Sequence, residues 1–163
     1  MMDIHPDVAQ VGFLLGRWEG RGRGDYPTVE SFEYLETVWF EAGPGKPWVA
    51  YRQATKDALT GEPLHAEYGY LRVLPAHRLE LVIAQPTGIT EVHTGVVDGS
   101  HVHLRAGHVQ CTPTAVEVTD VERHLTVEGD TLSYRLSMAA VGYDLQPHLE
   151  GTLTRSGWNR ITV

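Results

Sequence analysis

Apolar and polar residues alternate along much of the chain. Between Thr131 and Met138, Leu132, Tyr134, Leu136 and Met138 fall on one face and Ser133, Arg135 and Ser137 on the other. Leu79, Leu81, Ile83 and Gln85 share a face in the same way. So do Phe32, Tyr34, Val38 and Phe40, with Glu36 the exception. A period of two marks strands with one covered face. Ten runs read this way: Gly16–Gly24, Val29–Ala42, Trp48–Thr55, Leu64–Leu74, Arg78–Gln85, Thr90–Asp98, Ser100–His108, Ala115–Val127, Thr131–Met138 and Pro147–Arg155. Between them lie Gly and Pro signals such as Tyr26-Pro27, Gly43-Pro44-Gly45, Pro86-Thr87-Gly88 and Asp98-Gly99, which end regular structure through their φ preferences. One stretch follows a helical period instead. Val8, Val11 and Leu15 lie at i, i+3 and i+7, Pro6 suits a first helical turn, and Gly16 stops the run.

Ten antiparallel strands and one short helix leave too little helix to cover the apolar face. Closing the sheet on itself encloses that face and removes both edges. The pattern therefore predicts an all-β fold: a single ten-stranded antiparallel closed β-barrel over residues 14–156, with a short N-terminal helix as a plug, in one domain spanning 1–163. A barrel of this size has room for one small ligand.

Composition narrows the partners. Thirteen Lys and Arg against 21 Asp and Glu give a net charge of −8. That argues against nucleic acid and anionic membranes, which need a basic face. The single Cys111 excludes a disulfide framework or a Cys-rich zinc module. No signal peptide and no spanning segment is visible, so a cytoplasmic protein is expected.

The nine histidines are numerous. His101-Val102-His103 puts two imidazoles on one strand face, with His108 nearby, but no third ligand stands at a suggestive spacing, and a solvated face is the plain reading. His5, His77, His93 and His124 stand isolated and read as surface or hydrogen-bonded side chains. No nucleophile elbow, phosphate loop or zinc-protease motif occurs. Gly20-x-Gly22-x-Gly24 lacks the strand–turn–helix setting of a dinucleotide loop. Trp18 among glycines reads as the closing residue of a first barrel strand.

Five ordered segments carry a family likeness. They are Leu15-Gly16-Arg17-Trp18-Glu19-Gly20-Arg21-Gly22 with Tyr26-Pro27-Thr28; Leu64-His65-Ala66-Glu67; Ile83-Ala84-Gln85-Pro86-Thr87-Gly88; Met138-Ala139-Ala140-Val141-Gly142; and Pro147-His148-Leu149. From about Gly12 to Leu153 the chain resembles the nitrobindins, haem-binding β-barrels similar in shape to lipocalins and fatty-acid-binding proteins, whose G-x-W-x-G-x-G signature falls on Gly16, Trp18, Gly20 and Gly22. The resemblance implies one ferric haem b per chain, with His148 as the axial iron ligand and Thr28, His65, Gln85 and Met138 at pocket positions. It implies binding of nitric oxide and isomerisation of peroxynitrite to nitrate, so the expected partners are small molecules. Oligomeric state is not legible, and a homodimer stays open.

The residues partly support this reading. Imidazole is a normal haem ligand, and Leu79, Leu81, Ile83, Leu136 and Met138 offer apolar walls. Alternation, however, sets His148 with Glu150 and Thr152, opposite Leu149 and Leu153. Bringing His148 inward requires a bulge, or a haem held at the rim. A non-catalytic carrier of haem, fatty acid or another apolar ligand remains an alternative, as does an interaction domain that has lost its ligand. A zinc site through His101 and His103 is a third.

Overall fold

The N-terminal helix feeds directly into the barrel. In a computed structural model describing residues 3–157, this helix (Pro6–Leu14) is wound as 3-10 and kinked at Val11. Ten strands follow: β1 (Gly16–Tyr26), β2 (Val29–Ala42), β3 (Trp48–Asp57), β4 (Pro63–Leu74), β5 (Arg78–Ala84), β6 (Ile89–Asp98), β7 (His101–Cys111), β8 (Val118–Glu128), β9 (Thr131–Ala140) and β10 (Gln146–Gly157). Each pairs antiparallel with the next, and β10 pairs with β1, closing the barrel.

One end is sealed with apolar side chains. Val8, Val11 and Leu14 of the helix pack with Trp18, Val49, Leu71, Leu79, Leu132 and Leu153. Each fully buried side chain of this kind stabilises the fold by about 1.5–3 kcal/mol. Trp18 Nε1 donates to the Leu14 carbonyl at 2.8 Å, so the plug is latched as well as packed. The Arg155 guanidinium lies 4.0 Å from the Trp18 ring and donates to the carbonyls of Phe13 and Leu15. Gly16 makes the corner between helix and strand at φ 123°, a conformation that side-chain-bearing residues rarely adopt. The remaining motif glycines face inward. A Cβ on Gly22 would lie 2.3 Å from the Tyr34 ring, so the glycine is what lets that ring cross β1.

The middle of the barrel is polar. Glu36 keeps the inward alternation of β2 and is buried there, so it breaks the apolar pattern without breaking the strand. Gln53, Glu67, Glu91, His93 and Arg123 are buried at the same level, each on an inward position of its own strand. Beyond this layer a second, smaller apolar cluster that includes Tyr26, Ile89, Val121 and Leu136 surrounds the open mouth.

Candidate functional site

The mouth holds a cavity of about 350 Å³. Val29, Phe32, Leu64, Ile89, Val118, Val121, Leu136, Met138 and Leu149 supply apolar walls, while His65, Gln85, Glu67, Glu91 and Arg123 supply polar groups. Leu79, Leu81 and Ile83 belong instead to the closed-end core. Of the residues that share this face in the sequence, Gln85, just past the end of β5, lines the cavity.

A β-bulge turns His148 inward. In the β9–β10 pairing Pro147 opposes Ser137 and Leu149 opposes Leu136, so His148 is the extra residue. A bulge re-aims a side chain where strict alternation would point it away, and His148 joins Leu149 in lining the cavity. Its Nδ1 lies 3.0 Å from the Asp25 carbonyl oxygen. A carbonyl can only accept, so Nδ1 carries the proton and Nε2 keeps its lone pair. Asp25 itself sits at an irregularity of the β1–β2 pairing, between Gly24 and Tyr26. Burial lowers the His148 pKa, with the Asp25 hydrogen bond opposing, so the ring favours its neutral form. Tyr26 meets the imidazole edge-on, with ring centroids 5.2 Å apart. The Tyr26 hydroxyl accepts from the Ala140 N–H at 2.9 Å and donates to the Met138 carbonyl at 3.2 Å, so Tyr26 ties the ring's support to β9.

The floor is an ionic network. Arg123 donates through both Nη atoms to Glu67, at 3.0 and 2.9 Å, and through Nη2 to Glu91 at 2.8 Å. Glu67 also accepts from Tyr51 at 2.9 Å and from His65 Nε2 at 3.3 Å. Glu91 accepts from Gln85 and from His93 Nε2, both at 2.7 Å. Burial pushes the Glu67 and Glu91 carboxyls up, but the shared guanidinium and these donors more than offset it, leaving both below the usual range. Glu36 is not hydrogen-bonded to Arg123, whose charge reaches it only weakly. Burial raises its pKa to about 7, with hydrogen bonds from Tyr134 and Gln53 only partly opposing.

The structure thus gathers His65, Gln85, Met138 and His148 around one cavity, while Thr28 stands exposed in the β1–β2 turn beside the lining residue Val29. Sequence reasoning missed Tyr26, Glu67, Glu91 and Arg123 as parts of the site. Their signal is faint: charged residues on the inward phase of strands, visible in advance only at Glu36. His93, isolated in sequence, proves fully buried and bonded to Glu91.

Fold and site together define a ligand-binding closed β-barrel that presents one neutral imidazole from a bulge at an apolar mouth. Such a site fits haem: an accessible imidazole nitrogen suits the iron, and the walls suit a flat apolar macrocycle. The family described as "THAP4-like, heme-binding beta-barrel domain" matches residues 7–155. A protein of Mycobacterium avium named "Peroxynitrite isomerase 2" is 50% identical over 157 residues, covering 94% of this chain and 97% of its own. "Peroxynitrite isomerase 1" of Mycobacterium tuberculosis is 46% identical over 160 residues, at 94% and 97% coverage. The crystal structure of Rv2717c from M. tuberculosis superimposes with a TM-score of 0.88 at 45% identity, covering 94% of this chain and 99% of that one. The chain belongs to the THAP4-like haem-binding β-barrel, or nitrobindin, family.

Proposed function

We propose that this barrel holds one ferric haem b through His148 Nε2, binds nitric oxide and isomerises peroxynitrite to nitrate. The observation that carries the reading is the bulged His148, whose Nδ1–H is committed to the Asp25 carbonyl and whose Nε2 is left as a ligand. Relatives named peroxynitrite isomerase supply the reaction. Haem, when bound, supplies a Lewis-acidic iron able to take small oxygen and nitrogen ligands.

The chain's own residues hold and shield. Phe32, Leu136, Met138 and Leu149 exclude water from the macrocycle, and Tyr26 keeps the His148 ring in place. His65 and Gln85 bring hydrogen-bonding groups to the same cavity, each steadied by a carboxylate of the floor. Thr28 belongs to the rim. Peroxynitrite and nitrate have the same atoms and the same charge, so the conversion needs no net proton and no protein acid or base. The reading includes a cytoplasmic setting and a single working domain over 1–163.

A hemin titration of the protein, read by absorbance, tests the site. Saturation at one haem per chain is expected, with loss or a changed Soret band in His148→Ala. Binding indifferent to that substitution overturns the ligand assignment. Stopped-flow decay of peroxynitrite then tests the activity. No acceleration by the haem-loaded protein over buffer would leave a carrier of haem, fatty acid or another apolar ligand, a reading favoured by the largely apolar walls.

A further inference from the structure

The outer face of β7 and β8 carries a second constellation. Antiparallel register sets His103 directly opposite His124. Their rings stack at 4.3 Å with planes 9° apart. Glu122 spans both: Oε2 lies 3.2 Å from His103 Nε2, and Oε1 lies 3.4 Å from His124 Nε2. The donor atoms of all three residues lie within 4.8 Å of one another, and all three side chains are half-buried. Both Nε2 atoms are therefore directed at one carboxylate.

We infer that His103, His124 and Glu122 form a binding site for a divalent first-row transition cation such as zinc, on the outside of the barrel. Zinc takes imidazole nitrogen and carboxylate oxygen at about 2.0–2.2 Å, and a tetrahedral arrangement then sets neighbouring donors about 3.3 Å apart. Each Glu122 oxygen stands at about that separation from one imidazole nitrogen, Oε2 at 3.2 Å from His103 and Oε1 at 3.4 Å from His124. The widest gap between donor atoms is no more than 4.8 Å, a distance that side-chain rotation can shorten. Two imidazoles and one carboxylate suit zinc, copper or nickel rather than calcium or magnesium, which prefer all-oxygen sites. Three protein ligands leave a fourth position for water.

A further imidazole orients the first. His101 Nε2 lies 3.3 Å from His124 Nδ1, and His101 Nδ1 lies 3.0 Å from Thr126 Oγ1. With a cation on His124 Nε2, the Nδ1–H of His124 donates to His101, and the Nδ1–H of His101 donates to Thr126. That chain fixes the tautomer of a ligand in the manner of an outer-sphere partner. His101 is a positioning residue here. Arg135 on β9, paired with His124, is a cation that works against the metal. Arg105 is engaged by Asp120.

The signal lies in strand pairing, not in sequence spacing. His101-x-His103 and Glu122-x-His124 are separated by most of β7, a loop and the start of β8, so the partners of the first pair become visible only once the register is known. His108, although on the same strand as the first pair, is outside the cluster.

Zinc titration of the full chain against a chromophoric chelator tests the site, with cobalt as a visible-absorbing substitute. One zinc per chain is expected, with tetrahedral cobalt bands. His103→Ala and His124→Ala should each weaken binding about 100-fold, and His101→Ala about tenfold. Arg135→Gln should tighten it. The two alanine variants lie on different strands, so one serves if the other fails to fold, as judged by circular dichroism. His65→Ala, inside the cavity and away from the groove that His148 shares with Glu122 and His124, should leave zinc affinity unchanged. Loss of binding in that variant would move the metal into the cavity and overturn the proposal. No saturable binding, or binding that survives both His103→Ala and His124→Ala, would overturn it as well.

Discussion

Glu36 is buried with hydrogen bonds from Tyr134 and Gln53 and feels the Arg123 guanidinium only from a distance, whereas Glu67 is bonded to it through both Nη atoms. The same residue type therefore titrates in opposite directions within one layer of the barrel. Glu36 rises from 4.5 to about 7, so between those values the folded protein binds more protons at this position than the unfolded chain does. Its contribution to stability is present at low pH and is lost as pH rises through that window. Glu36→Gln keeps a carbonyl to accept from Tyr134 or Gln53 and removes the titration. The stability of Glu36→Gln relative to the natural protein should therefore grow by about 2–3 kcal/mol between pH 5 and 8. Urea unfolding of both proteins at each pH checks this, and a difference independent of pH would refute it. His148 makes the complementary point. Its identity supplies an imidazole, but its use depends on one hydrogen bond to Asp25 that sets which nitrogen is free.

At the level of elements, β10 matters more for its irregularity than for its regular part. Regular pairing from Leu149 to Thr154 builds the wall, and the shift between Pro147 and Leu149 aims the histidine. Deleting Pro147 should let His148 take its place opposite Ser137, restoring alternation and turning the imidazole outward. The barrel should still fold, with its hemin affinity falling to that of His148→Ala; unchanged affinity would show that the bulge is not what aims the ring. β1 shows a different economy. Its inward glycines leave room for the rings of Phe32 and Tyr34 to lie across the strand, where a Cβ would collide with them. The G-x-W-x-G-x-G signature is thus mainly architectural: Trp18 latches the plug, and Gly22 admits Tyr34.

Across the whole molecule the interior has three levels: an apolar sealed end, a charged middle and an apolar open mouth. The charged level divides the cavity from the core, and its cohesion rests on Arg123 bridging Glu67 and Glu91. Arg123→Met would leave two buried carboxylates without a cation and should cost about 3–5 kcal/mol in denaturant unfolding. Adding Glu67→Gln and Glu91→Gln should recover most of that loss, because the uncompensated charge is what costs. Failure to recover would mean that packing rather than charge sets the penalty.

Much of this was legible in the sequence. Alternation and turn residues mark ten strands, and the scarcity of helix requires the sheet to close, since an apolar face has to be covered and a strand edge has to be paired. Five local segments mark the family, because each is short enough to be read without knowing what it touches. Tertiary structure alone decided where His148 points, since a bulge changes the phase of a strand without changing its composition. It also decided that Glu67, Glu91 and Arg123 form one network, and that His103, His124 and Glu122 form another. In each case the partners come from different strands, brought together by register. A one-dimensional pattern records which face a residue occupies on its own strand, but not which residue stands opposite.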